Sequence, residues 1–197
     1  MPAGPVCIDA VPPTGGNAHE TGAHQAPVVS PIHVRAARVA DLASIDRIYD
    51  HYVLHSTCTA QLEPAGMPAR TAWFADHDAR HPIVVAEQPP GVVVGWGSLS
   101  VYNRRAGYAG TVEDSVYIAD LARGRGVGST ILAHLVDRAR ELGHRTVVAG
   151  VSGDQAPSLA LHAKLGFVEV GRMRDVVSKF GRWLDVVYLQ RDLATPG

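Results

Sequence analysis

The segment that most constrains the fold is a strand, a glycine-rich turn, a long helix and a second short strand. Residues 111–118 are rich in β-branched and aromatic residues and predict a strand. After the turn at 123–128, apolar residues recur every three or four positions, and Gly143 marks the end of the helix. Residues 146–151 read as a short buried strand. Because two strands joined by a helix usually run parallel, this segment predicts one parallel crossing in the sheet.

The remaining segments place further strands and helices around this unit. The predicted elements are a strand at 32–38, a helix after Asp41, a helix at 68–79, strands at 82–87 and 92–102, a helix at 157–165, and strands at 167–178 and 183–191. A Pro-Pro-Gly turn joins the strands at 82–87 and 92–102 as an antiparallel hairpin. The order is βααβββαβαββ, which predicts an α/β (α+β) fold with a mixed, mostly antiparallel sheet flanked by helices.

Composition indicates one globular domain. The chain has 197 residues, 46% of them hydrophobic, and a formal net charge of -1, which argues against a nucleic-acid binder. The first 30 residues lack Lys and Arg and are rich in Pro, Gly and Ala, so residues 1–31 are predicted to be a disordered tail without a secretory or transit signal. We expect the domain to span 32–193 and a short tail to follow at 194–197.

The location of the protein is also predicted from composition. No apolar run approaches the roughly 20 residues that cross a bilayer, so no membrane association is expected. The two cysteines, Cys7 and Cys58, are too few for a disulfide framework. These features favour a cytoplasmic protein.

The glycine-rich turn carries the first chemical signal. In the turn, glycines allow close approach of a ligand, and backbone amides at a helix N-terminus form a site for a pyrophosphate. Arg123 and Arg125 add positive charge, and Ser129 adds a hydroxyl donor. A nucleoside triphosphatase loop would need a lysine after Gly128, and a dinucleotide loop would need Gly-x-Gly-x-x-Gly. Neither fits, and a plain glycine-rich turn with two solvated arginines remains the alternative.

Arg123, Gly126 and Gly128 match the Arg/Gln-x-x-Gly-x-Gly/Ala loop, and on these residues the chain resembles the GNAT superfamily of acetyl-CoA-dependent N-acetyltransferases. Three further blocks resemble its phosphinothricin and methionine sulfoximine acetyltransferase group: TVEDSVYI at 111–118, LHAKLGF at 161–167 and KFGRWLD at 179–185. The resemblance implies direct transfer of acetyl from acetyl-CoA to the amine of a small amino-acid-like substrate in a ternary complex. It also implies a homodimer.

Acetyl transfer needs a neutral amine, whereas an α-amino group with a pKa of roughly 8 is mostly protonated at neutral pH. Glu113 is our candidate for the base that takes this proton, directly or through a water, and a glutamate holds this place in the resembling enzymes. Asp114 is the second choice. Strand alternation directs the two side chains to opposite faces, so only one can reach the amine. An exposed carboxylate pair without a special role is the alternative.

The resemblance also implies the cofactor residues. Backbone amides near Val116, Tyr117 and Ile118 would polarise the thioester carbonyl if the strand is splayed there. The expected cofactor-binding set is Val116, Tyr117, Ile118, Arg123, Gly124, Arg125, Gly126, Val127, Gly128, Ser129, Gln155 and Ser158. Gln155 stands where many relatives have Asn. His162 is either a core histidine or the group that protonates the departing thiolate.

The loop at 102–108 resembles the substrate loop of the family. It places Arg105, Gly107, Tyr108 and Thr111 in the expected acceptor site, where Arg104 or Arg105 could bind a carboxylate with two parallel hydrogen bonds. Lys179 and Arg182 offer further positive charge. Ala60 replaces a large aromatic residue of the relatives, which opens the pocket and leaves room for a bulkier acceptor.

Two alternatives stay open at this stage. The acceptor could be a protein or peptide amine, or the chain could be an acyl-CoA sensor without turnover. His51 with His55, or His77 with His81, would share a helix face, but neither pair has the glutamate of a zinc protease motif. No metal is therefore expected.

Overall fold

The computed structural model describes residues 30–194, so the predictions for the tails, including Cys7, fall largely outside the described residues. The elements are β1 (His33–Ala36), α1 (Leu42–His55), α2 (Gly66–Ala75), β2 (Ile83–Glu87), β3 (Val93–Val101), β4 (Thr111–Ile118), α3 (Val127–Glu141), β5 (Thr146–Ser152), α4 (Ala156–Lys164), β6 (Val168–Lys179) and β7 (Arg182–Asp192). This is the predicted order βααβββαβαββ, and the predicted fold class is confirmed.

The seven strands form one sheet in the order β1-β2-β3-β4-β5-β7-β6. All neighbouring strands are antiparallel except β4 and β5, which are parallel, as the sequence predicts for strands joined by a long helix. Strand β7 lies between β5 and β6, so the β6–β7 hairpin joins the sheet through the pairing of β7 with β5. The β2–β3 hairpin also forms as predicted.

The parallel contact between β4 and β5 is short. Only three residue pairs join the two strands, and the last of them is Glu113 with Val148. Beyond this pair β4 continues to Ile118 and stays paired with β3, whereas β5 stays paired with β7. The two central strands therefore separate toward their C-terminal ends and leave a gap in the middle of the sheet.

Helices cover the sheet on two sides. On one side, α3 packs against alternate β4 residues such as Val112 and Val116 in a core that also includes Leu161 of α4. On the other side, α1 packs against Tyr117 and Trp96. Successive residues of β4 therefore face different cores, as a strand requires.

Within residues 30–194, no helix is long and apolar enough to cross a membrane.

Helix α2 ends at Ala75, four residues before the predicted end at Ala79. The Asp78 carboxylate accepts hydrogen bonds from the backbone amides of Arg80 and His81, at 2.8 and 2.9 Å. An Asp side chain that bonds nearby amides offers the backbone a turn in place of another helical turn. The apolar spacing alone does not show that the Asp78 turn replaces a further turn of α2.

Gly97 of β3 allows α3 to lie close to the sheet. A Cβ atom at Gly97 would lie 2.7 Å from Ile131 Cγ2, 2.8 Å from Ser115 O and 2.9 Å from Leu135 Cδ1. These distances are too short for real contacts, and one of them involves backbone. Gly97 is thus a requirement of the packing between β3 and α3.

We expect Gly97→Ala to lower the free energy of unfolding by about 1–3 kcal/mol, because it overpacks this contact. Urea denaturation followed by circular dichroism measures the change. Gly171→Ala is the matched control, since a Cβ atom at this β6 glycine meets nothing within 4 Å. Equal stability of the two variants would contradict the packing argument.

Candidate active site

The predicted turn has the geometry of an anion site. Gly124 and Gly126 have φ values of 72° and 83°, in the left-handed region that favours glycine. Gly126 is the residue before the first turn of α3, and no side chain caps this end of the helix. The first amides of α3 therefore lack intrahelical partners and carry the positive end of the helix dipole. This geometry suits a phosphate group, and phosphate binding by the turn stays a prediction.

A cavity of about 350 Å³ opens beside this turn. Seven predicted cofactor residues line it: Ile118, Arg123, Gly124 and 126–129. The opposite wall is α4, which adds Pro157, Ala160, Leu161 and Lys164. The sequence analysis missed Lys164, although its position three residues after Leu161 puts it on the same side of a helix. Its ammonium group gives the cavity a second source of positive charge.

The two arginines of the turn have different surroundings. Arg123 Nε donates to Tyr52 Oη at 3.2 Å, and Arg123 Nη2 lies 3.1 Å from Asp120 Oδ1. Tyr52 Oη in turn donates to Ile118 O at 2.6 Å, so Arg123 is tied to the end of β4. Arg125 is exposed and does not line the cavity. Arg123 thus stabilises the strand end beside the cavity in addition to adding charge there.

Two backbone amides of β4 face the gap in the sheet. Ala119 N donates to Val94 O of the β3 segment at 2.8 Å. Because backbone groups alternate in direction along a strand, the amides of Ile118 and Val116 point to the other edge, toward β5. There β5 is no longer paired with β4. The splayed strand that the sequence analysis required is therefore present, and these amides are available to a ligand.

Glu113 lies where β4 and β5 separate, on the side of the sheet that carries α1. Its Oε1 is 3.7 Å from the position that a Cβ atom of Gly150 would occupy. Burial of the carboxyl group, together with the negative charge of Asp114, raises the pKa of Glu113 to about 7. A carboxyl group with this pKa changes charge at neutral pH and can exchange a proton there.

Asp114 lies on the opposite face from Glu113, as alternation predicts. It is fully buried under α4, where its Oδ2 is 3.3 Å from His162 Nε2. This position removes Asp114 as the second choice for a base on the same amine. Its other oxygen, Oδ1, accepts no hydrogen bond from residues 30–194.

His162 is also fully buried, and both of its ring nitrogens face acceptors. Nδ1 is 2.7 Å from the carbonyl oxygen of Ser158, and Nε2 faces Asp114. Burial favours the neutral ring, but the charge and hydrogen bond of Asp114 and the carbonyl of Ser158 outweigh it and raise the pKa of His162. These contacts hold the ring between α4 and β4, and it does not line the cavity.

Gln155 and Ser158 lie at the start of α4 and are buried. Gln155 Nε2 donates to Thr57 Oγ1 at 3.0 Å and to Asp154 Oδ1 at 3.3 Å, so its amide joins α4 to the segment after α1. Its Oε1 and the Ser158 hydroxyl have no hydrogen-bond partner within the described residues. Neither residue lines the cavity beside the turn.

The predicted substrate loop contains a short 3-10 turn at Ala106–Tyr108. The rings of Tyr102 and Tyr108 lie 5.7 Å apart, and both are partly exposed. Arg104 pairs with Asp76 at 2.6 Å, whereas the Arg105 guanidinium forms no ion pair with any of residues 30–194. Of the two arginines, Arg105 is the one available to a carboxylate.

The positive charge expected from the last hairpin is engaged elsewhere. Lys179 is buried and donates to the carbonyl oxygens of Thr59 and Tyr52, at 2.8 and 3.4 Å. Burial lowers the pKa of Lys179 to about 8. Arg182 lies 3.3 Å from Asp154. Lys179 anchors the hairpin to the segment after α1, which corrects its interpretation as a substrate-binding charge.

His77 and His81 lie beyond the end of α2, so they do not share a helix face as predicted, and both have local partners. His77 Nδ1 lies 2.8 Å from Trp73 O and its Nε2 lies 3.0 Å from Ser100 Oγ, while His81 pairs with Asp78. Among the residues that the structure describes, no group of three or more His, Cys, Asp or Glu side chains could hold a metal ion.

The site combines a sheet that opens beside a helix N-terminus with a carboxyl group at the opening, which is the arrangement that the resemblance to acetyltransferases implies. Residues 45–167 match the acetyltransferase (GNAT) family, and the chain belongs to that family. It is an enzyme that transfers acetyl groups, and the resemblance seen in the sequence is confirmed.

Named relatives are similar over most of the domain. The chain is 41% identical over 162 residues to L-methionine sulfoximine/L-methionine sulfone acetyltransferase of Pseudomonas paraeruginosa, covering 81% of this chain and 94% of that protein. It is 42% identical over 165 residues to phosphinothricin N-acetyltransferase of Alcaligenes faecalis, covering 81% and 82%. The crystal structure of a phosphinothricin acetyltransferase from Sinorhizobium meliloti in complex with acetyl-CoA superimposes with a TM-score of 0.79 at 37% identity, covering 82% and 88%.

We expect Asp114→Asn to lower the pKa of Glu113 from about 7, because the like charge on the next residue is removed. The pKa should stay above its usual range, since burial remains the larger cause. Carbon-13 NMR titration of the glutamate carboxyl groups measures it. Asp154→Asn, a change at a carboxylate outside this pair, is the control and should leave the titration of Glu113 as it is. An unshifted Glu113 in Asp114→Asn would show that the two carboxylates do not interact.

Proposed function

We propose that this enzyme transfers the acetyl group of acetyl-CoA to the primary amine of a small amino-acid-like substrate, directly and within a ternary complex. The observation that carries the proposal is the Glu113 carboxyl group, with a pKa of about 7, at the point where β4 and β5 separate. The names of the relatives support methionine sulfoximine, methionine sulfone or phosphinothricin as acceptors.

The residues around the gap fit acetyl-CoA. The amides at the start of α3 and the Lys164 ammonium would hold the pyrophosphate, and the Val116 and Ile118 amides would bind the arm that carries the acetyl group. When bound, acetyl-CoA supplies an acetyl group activated as a thioester. An amide directed at the carbonyl oxygen typically contributes about 3 kcal/mol to transition-state stabilisation.

Glu113 is the proposed general base. An amino acid binds mainly as an ammonium ion, which cannot attack a carbonyl carbon until it loses a proton. A carboxylate with a pKa near neutrality accepts that proton efficiently at physiological pH. Glu113 would take it directly or through one water, and the neutral amine would then attack the thioester.

His162 is proposed as the source of the proton for the departing thiolate. Its raised pKa favours the protonated ring, but delivery of a proton would require the 3.3 Å contact between Nε2 and Asp114 to open. A thiolate with a pKa near roughly 8.5 also leaves without full protonation. We therefore assign His162 a smaller share of the rate enhancement than Glu113.

Arg105, Gly107, Tyr108 and Thr111 are the proposed acceptor-binding residues. Arg105 has a guanidinium without an ion pair in residues 30–194, which supports its binding to the acid group of the acceptor.

A homodimer and a cytoplasmic location remain proposals that rest on the resemblance and on composition.

Glu113→Gln should lower acetyl transfer at pH 7 by about a hundredfold or more, because the amide cannot accept the ammonium proton. The measurement is thiol release from acetyl-CoA with L-methionine sulfone, L-methionine sulfoximine and phosphinothricin. Calorimetry should show unchanged binding of acetyl-CoA. Glu141→Gln, at an exposed glutamate of α3, is the control. Full turnover by Glu113→Gln would remove Glu113 from the mechanism.

Gly126→Val should weaken acetyl-CoA binding about tenfold or more, the equivalent of one lost hydrogen bond to a charged group, because a side chain there crowds the amides of the turn. Gly143→Val is a closely matched control. Gly143 has φ 76°, lies beyond the other end of α3 and also has no atom within 4 Å of an added Cβ.

Both substitutions strain the backbone similarly, so their melting temperatures should fall together. Only Gly126→Val should lose affinity in calorimetry. Equal affinity for acetyl-CoA in both variants would mean that the turn is not the phosphate site.

A further inference from the structure

Gly150 of β5 shares a face of the sheet with Glu113. Glu113 pairs with Val148, and Val148 and Gly150 are two residues apart, so all three point to the same side. On the other edge of β5, Gly150 pairs with Tyr188 of β7, which places Tyr188 on this side as well. This is the side that carries α1, opposite to Asp114 and α4. The surface beside the proposed base therefore continues across Gly150 to Tyr188.

The missing side chain at Gly150 leaves a space next to the base. A Cβ atom there would lie 3.7 Å from Glu113 Oε1, 3.8 Å from Tyr188 Cε1 and 3.8 Å from Val186 Cγ1. These are ordinary van der Waals distances, and Gly150 lacks the positive φ that would favour glycine. The fold itself would therefore accept alanine at this position.

A comparison with Gly97 shows that packing does not explain the glycine at position 150. At Gly97 an added Cβ would come within 2.7 Å of α3, so the packing excludes any side chain. At Gly150 no such contact exists, and glycine within a strand is unfavourable because it loses more backbone entropy and packs nothing. A glycine within a strand often marks either a bulge or a place that a ligand approaches closely. Gly171 lies at a register shift between β6 and β7, whereas Gly150 lies in regular register with β7, which leaves the approach of a ligand as its explanation.

We propose that Gly150, Val186 and Tyr188 form the wall of the acceptor subsite, over which the side chain of the amino acid acceptor lies while its amine meets Glu113. The inference deepens the proposed function and rests on it, since Glu113 defines where the amine is. Gly150 is here a specificity-determining position, and Val186 and Tyr188 are contact residues.

The chemistry of this wall favours an uncharged side chain. Val186 and the ring of Tyr188 are half-buried and offer apolar surface. The Tyr188 hydroxyl makes no hydrogen bond with any other residue of 30–194, so it is available to a polar atom of the acceptor. The three atoms nearest the added Cβ belong to Glu113, Tyr188 and Val186, none of which carries a positive charge. An unbranched side chain with a neutral polar end, such as that of methionine sulfone, fits this surface.

The test is Gly150→Ala, assayed by thiol release with L-methionine sulfone as the acceptor. We expect kcat/KM to fall about tenfold or more, mainly through a higher KM, because one methyl group fills space that the acceptor needs. Binding of acetyl-CoA by calorimetry should not change. Gly171→Ala is the matched control: it adds the same methyl group at a glycine of β6 that pairs with Tyr188 from the far side and has no atom within 4 Å.

Tyr188→Phe separates the hydroxyl from the ring and does not depend on the tolerance of β5 for alanine. We expect a higher KM for L-methionine sulfone with kcat and acetyl-CoA affinity close to wild type. If wild type turns over while Gly150→Ala and Tyr188→Phe keep its KM, the subsite is overturned and the proposed function stands. If wild type releases no thiol with any of the three acceptors, the proposed function fails, and the subsite fails with it.

Discussion

The short parallel contact between β4 and β5 is the constraint on which the rest of the site depends. Three residue pairs hold the strands together, and then β4 follows β3 while β5 follows β7. A sheet that stayed paired to the end would use the amides of Val116 and Ile118 internally. Because the sheet separates, these amides lie at an open edge next to the N-terminus of α3. A ligand can hydrogen-bond to them there, beyond the point where β5 stops pairing with β4.

The alternation of side chains along β4 gives two adjacent carboxyl groups different environments. Glu113 lies on the face where the sheet continues to Tyr188, and its partly buried carboxyl group has a pKa of about 7. Asp114 lies under α4 and pairs with His162, whose pKa it raises. The two groups nevertheless interact, since the charge of Asp114 helps to raise the pKa of Glu113. Glu113 therefore has a pKa suited to proton exchange at neutral pH, and Asp114 helps to set that pKa.

The parts predicted well from sequence are those determined by local pattern. Strand β4 has the predicted bounds, and α3 ends within a residue of the predicted end, because dense β-branched residues and a regular apolar repeat with Gly143 leave little choice. The pairing of His162 with Asp114 joins residues 48 positions apart, and the contact of Lys179 with Thr59 joins residues 120 apart. Such contacts depend on the assembled sheet. The predicted end of α2 was wrong for a local reason, because a turn forms around Asp78.

Glycines show most clearly why the acceptor side could not be predicted. Gly97, Gly126 and Gly150 have the same side chain, yet the first is required by the approach of α3, the second by a left-handed backbone and the third by neither. The distinction needs the positions of atoms that lie 18 or more residues away in the sequence for Gly97, and 36 or more for Gly150. Once these distances are known, the glycine that the fold does not need is the one that lies beside Glu113. Empty space next to a base, at a residue that the fold would let carry a methyl group, is best explained by a substrate that occupies it.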